Sequence, residues 1–177
     1  MELNLPPPNI KPIQKNNTHI VKTEYDPNSF YLVKNSKAYM FENFNTQCSL
    51  KELKIQIDIA YGHCICTGLG FLLRENYLIN KPEVTKITVI EKNKDVIDIQ
   101  NELNPEIMSK LNIIQDNANL YKGECDCLLL DHFEDDARPQ EIMAFSKLCY
   151  TNIKHKVLFW WDLISHFNYG LYNSKIK

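Results

Sequence analysis

The sequence predicts an α/β protein: a doubly wound, mostly parallel sheet covered on both faces, with a β-rich extension at its N-terminus. Three observations carry this. Short apolar or β-branched runs alternate with helix-length periodic segments from about residue 48 onward, and strands separated in this way pair in parallel through helical crossovers. The runs are almost continuously apolar instead of alternating, as strands buried on both faces are. Finally, Tyr61 to Glu91, YGHCICTGLGFLLRENYLINKPEVTKITVIE, reads as strand, glycine turn, helix, strand and terminal acid, the first half of a nucleotide-binding βαβ unit.

The chain has 177 residues, enough for one domain with a sizeable core and too few for two comfortable ones. A hydrophobic content of 44% with 24% charged residues is that of an ordinary soluble globule. Twenty basic residues stand against 22 acidic ones, so no general electrostatic pull toward nucleic acid is expected. No apolar run approaches the length of a membrane span. MELNLPPPNIKP lacks the pattern of a secretory signal. The six cysteines therefore read as reduced thiols and the expected location is the cytosol.

Residues 1 to about 22 are rich in Pro, Asn and Lys and read as a loosely held lead-in. Ile20–Tyr25, Phe30–Val33 and Ala38–Phe41, punctuated by Asp26-Pro27-Asn28 and Asn35-Ser36, predict a small antiparallel meander. The expected division is an extension over 1–47 and a ligand-binding domain over 48–177. Ser49-Leu50-Lys51-Glu52 matches a capping box and predicts a helix from Leu50 to Ala60. The first core strand lies at His63–Cys66, followed by a helix over Phe71–Ile79 and a strand over Thr85–Ile90. A second helix spans Lys94–Leu103 and stops at Pro105. Leu111–Gln115, Cys125–Leu130 and Val157–Trp161 are three further strands, with a helix over Pro139–Thr151 before the last. Residues 162–177 are not assigned.

In such a sheet, ligands sit beyond the carboxyl ends of the strands. Four of those ends carry suitable groups: Gly68 and Gly70, Glu91, Asp116-Asn117, and Asp131 with Glu134. The glycines permit a tight turn and a close backbone approach. Glu91, 21 residues after Gly70, can accept two hydrogen bonds from a ribose diol. Blander readings stand beside these. The glycines can form an ordinary βα turn, Glu91 a solvated strand end, Asp116-Asn117 a plain turn pair, and DHFEDD an acidic loop capping the next helix.

Cys64-x-Cys66 and Cys125-x-Cys127 invite a metal reading, since i and i+2 share a strand face. Structural zinc favours wider Cys spacing on turns, so small apolar thiols packed in a buried sheet are the favoured reading and no metal is expected. His63 and His132 default to packing or surface roles, and Phe159-Trp160-Trp161 to closing the core at the sheet edge.

From about Gly62 to Trp161 the sequence resembles the class I S-adenosylmethionine-dependent methyltransferases, and among them the spermidine-synthase-like branch. CTGLGF is similar to the family's glycine loop, VTKITVIEKNKDVIDI to its second strand and helix, IIQDNANLY to the adenine-flanking segment, and CDCLLLDHFED to the fourth strand. The resemblance implies a Rossmann-like methyltransferase fold, truncated after strand 5. It implies S-adenosylmethionine, or its decarboxylated form, held by Gly68, Leu69, Gly70, Glu91, Asp116 and Asn117. Asp131 and Glu134, acid to acid at the Asp-x-x-Asp spacing of aminopropyltransferases, are then the catalytic pair. The chain departs from the pattern at Leu72, which replaces the third glycine, and in lacking an Asn/Asp-Pro-Pro-Tyr tetrad after the fourth strand. Methyl transfer to a small, cationic acceptor is the leading expectation. Aminopropyl transfer is the alternative, and a non-catalytic nucleoside-binding or partner-binding relative a third. An exposed sheet edge after the fifth strand is expected to favour a homodimer.

Overall fold

A computed structural model describes residues 5–26, 29–43, 47–131 and 139–160. The N-terminal strands β1 (Ile13–Lys15), β2 (Thr18–Lys22), β3 (Ser29–Lys34) and β4 (Lys37–Asn43) form a four-stranded antiparallel meander in sequence order. Its first strand falls within the expected lead-in. Leu5 and Pro6 offer their carbonyls to Tyr77 and Asn76, while Asn9 exchanges hydrogen bonds with Asn104 and Leu103. The segment is thus tied to the helices below it.

Helix α1 (Gln47–Ile59) leads into the main sheet: β5 (Gly62–Thr67), α2 (Leu73–Leu78), β6 (Val84–Glu91), α3 (Lys94–Leu103), α4 (Pro105–Met108), β7 (Asn112–Gln115), β8 (Gly123–Glu124), β9 (Cys127–Leu130), α5 (Pro139–Asn152), β10 (Ile153–Lys154) and β11 (Val157–Trp160). Five strands pair in parallel in the order β11-β9-β5-β6-β7. The order reverses between β5 and β9, which makes their carboxyl ends the switch point.

Several boundaries differ from expectation. Helix α1 starts at Gln47, ahead of the expected Leu50, and Ser49 lies within it. The helix after the glycine turn is only six residues long, too short for a substantial dipole at its N-terminus. Pro105 does stop α3, and also opens the single turn α4. Strand β9 begins at Cys127, two residues later than expected; ahead of it Cys125 N donates to Lys154 O of β10, and Asp126 bonds to His63 and Val157 of the flanking strands. Glu134, His132, Trp161 and most of the acidic loop lie outside the described residues.

Strand alternation divides the core into two layers. Cys64, Cys66, Ile87, Val89, Cys127 and Leu129 face α1, α2, α3 and the N-terminal meander, joined by Leu53, Ile57, Leu78, Ile99, Ile20 and Leu32. Ile65, Ile90, Leu128 and Leu130 face the other way, toward Cys149 of α5, Ile153 and Ala118. Cys125 belongs to this second layer while Cys64, Cys66 and Cys127 belong to the first, so the four thiols do not converge on one face. Burial pushes the Cys64 and Cys125 thiols up to about 12. Among the described residues no group of three or more metal-binding side chains comes together, and no helix is long and apolar enough to cross a membrane.

A polar chain crosses the second layer. Asn112 Nδ2 donates to Thr88 Oγ1 at 3.2 Å, which is 2.9 Å from His63 Nε2. The ring also meets the Glu124 backbone. Burial, followed by the charge of Lys86, holds the His63 pKa below the ordinary imidazole value. A lowered folded-state pKa means that this contribution to stability is complete above about pH 6.5 and is lost as pH falls through the folded value. Urea unfolding at pH 7.5 and 5.0 is expected to show a smaller loss for His63→Gln than for the parent chain. An equal loss would remove His63 from the account.

Candidate functional site

The carboxyl ends of β5, β6, β7 and β9 are joined by hydrogen bonds that begin at Glu91, the last residue of β6. Its side chain is buried, with 4% of the residue exposed. Oε2 accepts from Leu69 N at 3.0 Å and Oε1 from Asn93 N at 2.7 Å, while its carbonyl accepts from Asp116 N at 3.2 Å. Burial raises the Glu91 pKa, and the two backbone donors work against that rise. The acid expected at the ribose therefore also staples the glycine loop to the start of α3. Each oxygen retains a second lone pair for a ligand hydroxyl.

The loop itself is held in left-handed conformations: Gly68 at φ 77°, Gly70 at φ 47° and Leu72 at φ 62°. Gly68 N donates to Ile90 O at 2.9 Å and Gly70 O accepts from Gln100 Nε2 at 2.8 Å. A Cβ on Gly70 would meet Met40 Sδ at 2.8 Å, so the close backbone approach here is made by strand β4. Leu72, where a third glycine was expected, keeps the turn without the glycine. A non-glycine residue there costs about 1–2 kcal/mol, and its burial in the first core layer offsets this.

Asp131 follows β9. Its N–H donates to Thr67 Oγ1 at 2.9 Å, which fixes the ends of β9 and β5 together across the switch point. Its side chain is 27% exposed, and Oδ2 lies 3.9 Å from Arg74 Nη1. Arg74 and Glu75, both in α2, are the main residues that the sequence reading missed. Arg74 Nε and Nη2 donate to Glu75 Oε1 at 2.9 and 2.7 Å, Nη2 also donates to Gly68 O at 3.0 Å, and Nη1 is 3.5 Å from Gln56 Oε1. The pair is 5% and 2% exposed. Burial opposes the guanidinium charge, but the neighbouring Cys66, Glu75 and Asp131 outweigh it and raise the Arg74 pKa. Adjacent charges inside the apolar run FLLRENYL were the available signal.

Asp116 and Asn117 are exposed at the end of β7. Asp116 Oδ1 accepts from Asn117 N at 2.7 Å and Asn117 Oδ1 from Asn119 N at 3.0 Å. They form a turn on the same edge as Glu91 without touching the glycine loop through any of these bonds. Glu91→Ala, which strands two buried N–H groups, is expected to lower stability by about 2–4 kcal/mol. Asp116→Ala, at an exposed turn, should cost under about 0.5 kcal/mol. Equal losses in chemical denaturation would show that Glu91 is not the staple.

No protein-family model matches the sequence, and no curated protein does. Solved structures do match. A probable spermidine synthase from Corynebacterium glutamicum superposes with a TM-score of 0.50 at 13% identity, covering 81% of this chain and 60% of that one. The spermidine synthase of Thermotoga maritima gives 0.52 at 14%, covering 82% and 52%. A spermidine synthase in complex with the transition state analogue AdoDATO gives 0.51 at 13%, covering 82% and 52%. The chain thus spans roughly half to three fifths of the length of these proteins and shares the Rossmann-like, methyltransferase-type fold that they carry.

Proposed function

We propose that this chain, built on the fold of the spermidine synthases, binds an S-adenosylmethionine-type nucleoside at the switch point and acts as an aminopropyltransferase-like transferase using the decarboxylated form. One observation carries the choice between ligands. Among the described residues beneath the glycine loop, Arg74 is paired with Glu75 at 2.7 Å and has Asp131 at 3.9 Å. S-adenosylmethionine brings a carboxylate that needs a free counter-cation, and Arg74 is already bonded to Glu75. The decarboxylated form carries only a sulfonium and an ammonium and makes no such demand. The fold neighbours support the same choice, and on both grounds aminopropyl transfer ranks above methyl transfer.

In this reading the backbone of Gly68, Leu69 and Gly70 surrounds the chain that bears the sulfonium. Glu91 takes the ribose hydroxyls, and Asp116 with Asn117 borders the adenine. An acceptor amine attacks the aminopropyl carbon next to sulfur. The C–N bond forms as the C–S bond breaks, and its electron pair returns to sulfur as a neutral thioether. Asp131 orients the amine and takes its proton, and Glu134 binds a second cationic group of the acceptor. The cation provides its own leaving group, so the protein contributes positioning and exclusion of water.

A second reading, binding without transfer, is favoured by the Arg74 contact to Asp131, since a carboxylate that stays with Arg74 is not free for an amine. Calorimetry with the decarboxylated ligand, S-adenosylmethionine and S-adenosylhomocysteine, followed by a diamine transfer assay, tests the proposal. The expected result is micromolar binding of the decarboxylated form, at least about tenfold tighter than S-adenosylmethionine, with transfer to the diamine. Tighter binding of S-adenosylmethionine would favour methyl transfer, binding without transfer the second reading, and no binding would exclude all three.

A further inference from the structure

We propose that Glu75 sets the ligand preference of this site, by neutralising Arg74 and thereby holding shut a latent carboxylate receptor formed by Arg74 and Gln56. The proposal rests on the nucleoside-binding reading above and assigns the origin of its charge selectivity to one residue that need not touch the ligand.

The geometry separates the two edges of the guanidinium. Nε and Nη2 are committed, to Glu75 Oε1 and to the Gly68 carbonyl, at 2.7–3.0 Å. Nη1 is not closely held, with Gln56 Oε1 at 3.5 Å and Asp131 Oδ2 at 3.9 Å. Gln56 is fully buried, and its Nε2 has no hydrogen-bond partner among the described residues. Donor capacity is therefore unspent on two adjacent side chains, beneath the carbonyl of the first loop glycine. A carboxylate is the acceptor that matches a guanidinium edge beside an amide donor. A buried donor left without an acceptor is also costly, so Gln56 requires an explanation that packing alone does not supply.

Charge decides whether that receptor is open. With Glu75 ionised, Arg74 contributes no net positive charge to the region. The decarboxylated ligand carries two positive charges, and S-adenosylmethionine carries those two and one negative. A change of one unit in the pocket therefore acts more strongly on the former. At a separation of several ångströms in a partly buried site, one charge shifts relative affinity by about tenfold or more.

The test is the ratio of dissociation constants for the two ligands, measured by calorimetry on variants that pass a thermal-melt check. Glu75→Gln keeps an acceptor for Arg74 while removing the charge, and is expected to move the ratio about tenfold toward S-adenosylmethionine. Arg74→Gln, which leaves Glu75 charged, is expected to move it by a similar factor the other way. Breaking one side of a buried pair is destabilising; if one variant does not melt cooperatively, the direction of the other decides. A ratio unchanged within about twofold, or movement against these directions, overturns the proposal while leaving the nucleoside-binding reading intact. Failure of the parent chain to bind either ligand overturns both.

Discussion

Three loops at the carboxyl edge of the sheet converge on one buried residue, Glu91, two of them on its carboxylate. Glu91 receives the N–H of Leu69 from the loop after β5 and that of Asn93 from its own loop, while its carbonyl receives Asp116 from the loop after β7. Burying an anion is unfavourable unless donors surround it, and here the backbone provides them, so the charge and the loop geometry require each other. The dependence extends outward. The Asn93 side chain caps α3 by accepting from Asp95 N, and Asp95 takes hydrogen bonds from Asn16 and Thr18 of the N-terminal region. The antiparallel meander is thereby fastened to the helix whose start Glu91 fixes.

A second constraint is the handling of charge beneath the glycine loop. A guanidinium this deeply buried is tolerable only with an ionised partner and full use of its donors. Arg74 has the partner in Glu75 and a backbone acceptor in Gly68, yet its outer edge is left with long contacts. That incompleteness, together with the unsatisfied Gln56 amide, sits at the switch point, where this class of sheet places its ligands. Met40, pressed against Gly70 from β4, makes the N-terminal meander one wall of the same region.

The parallel sheet was legible in the sequence because continuous apolar runs and their spacing are set by burial on two faces. Helix α3 was readable to the residue, since its apolar period and Pro105 agree. Glu91 was found from its interval to Gly70, although its hold on the loop backbone was not. What escaped depends on distant partners. Strand β1 is defined by pairing with β2, and the two-residue strands β8 and β10 exist only through each other. The start of α1 lies ahead of a capping box that looked decisive. Arg74 and Glu75 could be noticed as adjacent charges in an apolar run, but the role of Arg74 escaped because its other partners, Gly68, Gln56 and Asp131, are distant in sequence. Asp116 and Asn117 show the opposite case: their turn chemistry is local and was one of the two readings that the sequence allowed.

The central claim is that the edge organised by Glu91 is where the nucleoside binds, and backbone amide chemical shifts under titration with decarboxylated S-adenosylmethionine test it most directly. The account predicts saturable shifts concentrated at Gly68–Phe71, Glu91–Asn93, Asp116-Asn117 and Asp131, with the Leu69 and Asn93 amides among the largest. Saturable shifts concentrated elsewhere, such as at the exposed turns of the N-terminal meander, with those amides unmoved, would contradict it.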